Sequence, residues 1–274
     1  MWTINARNVW QLRSPGGDRF TEFVDALIRT QSYICGLPYS EIHTNLRTNI
    51  PDGGVDTEVC KPVSSDPTGW LKDFPTIWQY KATQARDISH TQLERDVNKQ
   101  YATDCIKKGF AYRLCICDNI SNPKRKEWKQ HLNDCVRKIN PAASEVKVLT
   151  ADDLAAWTNR FPSLVLRYFR SETAQGCLHI EAWGRNIISV TRNFVSVPTR
   201  ETVSDNIKRH VLSPEVPELV FSISGEAGVG KTRLVYESLV SCKGAGDLVV
   251  YTDDEQKALE LAASLANDLF VRAI

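Results

Sequence analysis

A glycine-bearing turn that leads into one short extended run, with a second such run about twenty residues later, constrains this 274-residue chain more than any other feature. The first is Ile50-Pro51-Asp52-Gly53-Gly54-Val55-Asp56-Thr57-Glu58-Val59, and the second is Ile77-Trp78-Gln79-Tyr80-Lys81-Ala82. Side chains alternate faces along a strand, so Asp56 and Glu58 share one face, and Gln79 and Lys81 share one face of the next run. Trp78 and Tyr80 fall on the opposite face. Adjacent strands built this way bring a carboxylate, an amide oxygen and an ammonium close together.

That trio suits phosphodiester hydrolysis. Mg²⁺ takes hard oxygen ligands, keeps several waters and usually takes only one or two carboxylates from the protein. Asp56 is the firm ligand in this reading, and Gln79 offers its side-chain carbonyl oxygen. Lys81 can orient the attacking water or offset charge building on the phosphate. Glu22, within Phe20-Thr21-Glu22-Phe23-Val24-Asp25-Ala26-Leu27-Ile28, lies on an earlier amphipathic helix and could hold a metal-bound water. Taken singly, each piece also reads as a turn, a solvated strand residue or an amphipathic edge. Their order and spacing favour a nuclease site.

Over roughly residues 14 to 120 these motifs resemble the Mrr-like branch of the PD-(D/E)xK nucleases. In that branch a glutamate-bearing helix precedes a Gly-rich turn, an Asp-bearing strand and a Gln-x-Lys strand. The resemblance implies a restriction-endonuclease-like α/β core, a mixed sheet flanked by helices, with Glu22, Asp56, Gln79 and Lys81 as its catalytic set. Glu58 is an accessory candidate. Gln79 stands where the superfamily usually has an acid, which weakens the expected metal affinity.

A second motif lies toward the other end. Leu219-Val220-Phe221-Ser222-Ile223-Ser224 reads as a strand leading into Gly225-Glu226-Ala227-Gly228-Val229-Gly230-Lys231-Thr232-Arg233 and then an apolar-periodic helix. This is a P-loop in its expected context: backbone amides and a helix N-terminus face the phosphates. Lys231 is expected on the β- and γ-phosphates of ATP or ADP, and the Thr232 hydroxyl on Mg²⁺. Beyond it, residues 247–251 read as a strand and Glu255 to Ala266 as a helix. Those residues are too few to complete a P-loop domain, which needs further strands and an acidic Walker B residue. Asp253 and Asp254 fit a helix N-cap better than that role. The chain is therefore expected to be the front part of a longer protein, with weak or no nucleotide hydrolysis.

A Mrr-like nuclease followed by this P-loop resembles the antiviral STAND NTPases of prokaryotes. The resemblance implies a nuclease effector, an ATP-dependent switch and a C-terminal sensor, missing here, that recognises a phage protein of terminase or portal type. It also implies tetramers on activation and degradation of double-stranded DNA. Two other readings stay open. One is a nucleotide-dependent signalling or oligomerisation module whose N-terminal domain binds DNA or protein without cutting. The other is a Mrr-type modification-dependent restriction enzyme.

Composition agrees with a cytoplasmic two-part protein: 42% of residues are hydrophobic and 24% charged. The N-terminus lacks the apolar core of a signal peptide, and no apolar run is long enough to cross a membrane. The eight cysteines show no Cys-x-x-Cys and no zinc-like spacing, and the five histidines show no second ligand or paired nucleophile. A net charge of +1 means that DNA binding needs a local patch. Candidates are Lys107-Lys108, the run from Lys124 to Lys129 with Trp128 among it, and Arg95 and Lys99.

The periodicity predicts a helix over 18–34, one long helix over 89–108, a strand over 112–117, a helix over 123–139 and a short strand over 146–149. Thr150-Ala151-Asp152-Asp153 resembles a capping box that opens a helix through Trp157, and a further helix is expected over 163–169. The domains are therefore read as 1–170 for the nuclease, 171–218 for a connector with one helix near 201–212, and 219–274 for the opening of the NTPase.

Overall fold

The computed structural model describes residues 3–13, 17–45, 53–169, 176–188, 194–212, 223–242, 248–259 and 272–273. They form two compact units, one over 3–159 and one over the described residues from 160 on. The division falls at 159/160, ahead of the boundary at 170 read from sequence.

The first unit is a mixed α/β layer. Its elements are α1 (Ala6–Trp10), α2 (Asp18–Ile34), β1 (Ile42–Thr44), β2 (Thr57–Val59), β3 (Thr76–Lys81), α3 (His90–Val97), α4 (Gln100–Lys107), β4 (Ala111–Ile116), α5 (Asn122–Ile139), β5 (Lys147–Leu149) and α6 (Ala151–Thr158). The five strands lie in sequential order, β1-β2-β3-β4-β5. The β1–β2 and β2–β3 pairs are antiparallel, and the β3–β4 and β4–β5 pairs parallel. Parallel neighbours need crossovers, which α3 with α4 and then α5 provide. Every residue of β4 is buried, as are the first five of β3, so the sheet centre carries apolar side chains on both faces.

On one face, Ile77, Leu114 and Ile116 pack with Leu93, Val97, Ile106, Trp128 and Leu132 of α3, α4 and α5. On the other, Phe20 of α2 meets the Tyr80 ring edge-on at 6.4 Å, and Trp78 lies 6.2 Å from Trp157. A polar chain ties α2 to the strands there. The Thr44 hydroxyl donates to Asp25, Thr44 and Thr57 share a hydrogen bond of 3.0 Å, and the Tyr80 hydroxyl donates to Thr57 at 2.7 Å. Burial pushes the Tyr80 phenol well above its ordinary range. Arg113 is 2% exposed, and its guanidinium donates to the carbonyls of Trp70, Tyr112 and Glu145. Burial lowers its pKa to about 10.

The helix expected over 18–34 is α2. The long helix expected over 89–108 is instead two helices, broken at Asn98 and Lys99, where Lys99 is extended at φ −62°, ψ 146°. The break seats the glycine turn. Ala102 N–H donates to the Gly53 carbonyl at 3.2 Å. Gly54, at φ 90°, lies so close that a Cβ there would be 2.4 Å from the Asp96 carbonyl oxygen. Ser89 and Gln92 form a capping box at the start of α3, Ser121 caps α5, and Thr150 N–H donates to Asp153 at 2.8 Å.

The second unit contains α7 (Pro162–Phe169), β6 (Cys177–His179), α8 (Ile180–Ile188), α9 (Pro198–Leu212), α10 (Lys231–Val240), β7 (Val249–Thr252) and β8 (Arg272–Ala273). Its sheet runs β6-β7-β8, with β6–β7 antiparallel and β7–β8 parallel. Trp183 stacks on Tyr251 at 4.5 Å and meets Tyr236 edge-on at 5.4 Å, at the centre of a core with Ile180, Ile207, Leu234 and Leu239. The stretch read as a connector thus contributes β6 and α8 to this core. A three-residue strand leaves too little periodicity to be recognised. Among the described residues no helix is long and apolar enough to cross a membrane, and none of the eight cysteines is in a disulfide.

Candidate functional site

Asp56 sits at the entry to β2, where its N–H donates to the Trp78 carbonyl at 2.8 Å. The register pairs Thr57 with Trp78 and Glu58 with Ile77, so Asp56 falls beside Gln79. Gln79 Nε2 donates to Asp56 Oδ2 at 2.7 Å, and Tyr80 N–H donates to the same oxygen at 2.7 Å. A carboxylate oxygen accepts only from the amide nitrogen, which fixes the amide orientation. The amide oxygen is left over: Gln79 is 4% exposed, and its Oε1 is buried with no hydrogen-bond partner. Leaving such an acceptor unsatisfied costs about 1–3 kcal/mol.

Lys81 lies two residues along on the same face as Gln79, and its ammonium is 2.5 Å from Asp96 Oδ2. Lys99 approaches the other oxygen of that carboxylate at 3.3 Å. Asp96 is 3% exposed, so one buried acid holds two lysines. Sequence reasoning missed it. The signal was an aspartate at core spacing on α3, between Leu93 and Val97, both fully buried.

Glu22 is exposed on α2, one turn before Asp25. Gly17, at the N-cap of α2, would bring a Cβ within 3.1 Å of Ala82 Cβ, so α2 starts beside the end of β3, just past Lys81. Its body packs on the Tyr80 face, opposite Gln79. Glu22 is thus on the helix that covers the Tyr80 face, whereas Asp56, Gln79 and Lys81 share the other face directly.

Glu58 has a different setting from the trio. The Tyr101 hydroxyl donates to its Oε2 at 2.5 Å, and the Cys60 thiol lies 3.6 Å from its Oε1. Burial, then Glu58, pushes the Cys60 thiol up to about 11. His43, cross-strand partner of Glu58, completes a group whose donor atoms all lie within 4.8 Å of one another. Glu94, His131 and Cys135 form a second such group. Each brings a histidine close to a cysteine and a carboxylate, a proximity not read from the sequence. The groupings cross strands and helices, so chain spacing does not reveal them.

The sequence matches no protein-family model, and it matches neither a curated protein nor a solved structure.

The basic run on α5 is largely committed within the fold. Arg125 pairs with Asp153 at 2.9 Å, Lys129 pairs with Glu145 at 2.6 Å, and Trp128 is 1% exposed. Burial removes Trp128 as a stacking platform for bases. Lys107 and Lys108 are exposed at the end of α4, and Arg95 is exposed on α3.

In the second unit, residues 224–230 are exposed and irregular, with Gly225, Gly228 and Gly230 at positive φ. Lys231 opens α10, and its ammonium donates to the carbonyls of Gly225 and Glu226 at 2.9 and 2.8 Å. Thr232 is exposed in the first turn, and Arg233 pairs with Glu237 at 2.5 Å. Ile223 and Ser224 are not in a strand, and the rest of the strand expected at 219–224 lies outside the described residues. So does the part of the 255–266 helix beyond 259. Asp254 Oδ1 accepts from Gln256 N–H at 2.9 Å, which makes it an N-cap.

Proposed function

We propose that residues 3–159 form a Mg²⁺-dependent double-stranded DNA endonuclease of the PD-(D/E)xK, Mrr-like type. One observation carries the reading: Asp56 and Gln79 meet at 2.7 Å beside Lys81, while the buried Gln79 Oε1 has no partner. Hard oxygen atoms, one charged and one neutral, are a fitting donor set for Mg²⁺, which takes few ligands from protein. Asp56 and Gln79 would hold the ion. Bound there, Mg²⁺ supplies Lewis-acid polarisation of the phosphodiester and a more acidic water.

The remaining work falls to this chain's side chains. Lys81 supplies positive charge for the phosphate or aligns a water, and Asp96 holds its ammonium in place. The Tyr80 N–H fixes Asp56 Oδ2 from the backbone, so the carboxylate does not rotate freely. In this reading Glu22, on α2, accepts a proton or holds a water.

On the same reading, the loop from Gly225 to Thr232 binds ATP or ADP with Mg²⁺ at Thr232 and acts as a switch. Lys231 already bridges two loop carbonyls, and exchanging them for phosphate oxygens is a small movement of a flexible side chain. The resemblance to antiviral STAND proteins extends the proposal to activation by assembly on sensing a phage protein.

A second reading, a DNA- or protein-binding module that does not cut, is favoured by the closure of the site on itself. Asp56 is held by an amide and Lys81 by a carboxylate. Plasmid incubated with Mg²⁺ and the protein, or its Asp56→Ala variant, separates the two. Metal-dependent nicks that vanish in the variant support the nuclease; binding without scission supports the module.

A further inference from the structure

We propose that His43, Glu58 and Cys60 form a site for one borderline-soft divalent cation, best matched by Zn²⁺, separate from the Asp56–Gln79 site. The strand register builds it. His43 on β1 is the direct cross-strand partner of Glu58 on β2, and Cys60, two residues on, projects to the same face. Cys60 N–H donates to the Glu41 carbonyl at 2.8 Å, which fixes the backbone there.

The donor geometry is close to that of a tetrahedral site. Zn–S of about 2.3 Å and Zn–N or Zn–O of about 2.0–2.2 Å put tetrahedral donor atoms roughly 3.5 Å apart. Cys60 Sγ lies 3.8 Å from His43 Nδ1 and 3.6 Å from Glu58 Oε1. Small side-chain adjustments bring both onto one ion. An imidazole, a thiolate and a carboxylate select Zn²⁺ over Mg²⁺, which prefers oxygen alone.

The carboxylate is also oriented. Tyr101 on α4 donates to Glu58 Oε2 at 2.5 Å, leaving Oε1 toward Cys60. Outer hydrogen bonds of this kind set the direction of metal ligands. His43 is exposed, so water can complete the shell. On binding, the Cys60 thiol gives its proton to solvent, the thiolate bonds the ion, and His43 coordinates through neutral Nδ1. The ion then ties edge strand β1 to β2 and, through Tyr101, to α4.

The rival group of Glu94, His131 and Cys135 fits less well. His131 Nε2 already faces the His90 carbonyl at 3.3 Å, and its ring stacks on His90 at 4.6 Å.

The test is a Co²⁺ titration of the reduced, metal-stripped full chain, followed by absorbance, with Zn²⁺ added last. The expected result is one Co²⁺ per chain with tetrahedral visible bands and a near-ultraviolet thiolate charge-transfer band, all erased by Zn²⁺. Cys60→Ser removes the charge-transfer band. His43→Ala, at an exposed position, weakens binding at least tenfold, and Tyr101→Phe weakens it about tenfold. Far-ultraviolet circular dichroism checks that each variant is folded. No thiolate band, or a band that survives Cys60→Ser and is lost in Cys135→Ser, overturns the proposal. Asp56→Ala leaves the band in place, so this result and the nuclease assay fail or succeed independently.

Discussion

Replacing Gly54 with alanine tests how the candidate site is assembled. The residue has φ 90°, a conformation that costs a non-glycine residue about 1–2 kcal/mol. Its new methyl group would also lie 2.4 Å from the Asp96 carbonyl oxygen and 3.1 and 3.2 Å from the Cβ atoms of Lys99 and Ala102. Backbone oxygen has no rotamer by which to retreat, and overpacking of this kind costs about 1–3 kcal/mol more. Gly109 is the internal control. It has the same φ of 90° with nothing within 4 Å of a built Cβ, so Gly109→Ala reads the backbone term alone. The assay is urea unfolding of the full chain followed by tryptophan fluorescence. Gly54→Ala is expected to destabilise by about 2–5 kcal/mol, exceeding Gly109→Ala by about 1–3 kcal/mol. Equal effects of the two substitutions would refute the docking of the glycine turn into the α3–α4 break.

Gln79→Glu replaces the amide that donates to Asp56 at 2.7 Å with a second carboxylate, so the two acids repel until a cation bridges them. Its melting temperature is expected to fall below wild type without Mg²⁺ and to rise more steeply than wild type as Mg²⁺ is titrated; a metal-independent melting temperature contradicts the site. Lys231→Ala is expected to weaken ATP binding at least tenfold by calorimetry, about 1.4 kcal/mol or more, without changing the unfolding midpoint. Alkaline stability follows from the buried thiols. Burial raises Cys105 and Cys117 from 9.0 to about 11, and Cys115 well beyond its ordinary value. Above pH 9.0 the unfolded chain releases these protons while the folded chain keeps them, so stability present below pH 9.0 is lost as pH rises through about 11. Urea midpoints measured across that window are expected to decline, and a flat profile refutes the burial of these thiols.

Strands β2, β3 and β4 and helix α2 were legible because alternation and helical spacing are local signals. The face shared by Asp56, Gln79 and Lys81 follows from alternation alone, once β2 and β3 pair. The break at Asn98 and Lys99 was not legible, because its cause is tertiary: Gly53 and Gly54 dock there, and no helix-breaking residue marks it. Asp96 was hidden for a similar reason, since an acid on an apolar helix stripe shows its role only when Lys81 and Lys99 arrive. Trp128 misled because its basic neighbours suggested a nucleic-acid surface, whereas its ring fills the core under α5. Pairing of His43 with Glu58 depends on strand register, which the chain spacing leaves open.

The decisive assay for an endonuclease is cleavage of supercoiled plasmid by wild type and by Lys81→Ala, with Mg²⁺, with and without ATP, and at protein concentrations that favour self-association. Lys81 is held by Asp96 at the face where Asp56 and Gln79 meet, so removing its ammonium takes away the charge offered to the phosphate and leaves the strand pairing intact. Mg²⁺-dependent nicking by wild type is expected, with a loss of at least a hundredfold in the variant, about 2.7 kcal/mol of transition-state stabilisation. Cleavage that proceeds equally in both proteins, or DNA bound by wild type with no scission under conditions where ATP binds, would contradict it.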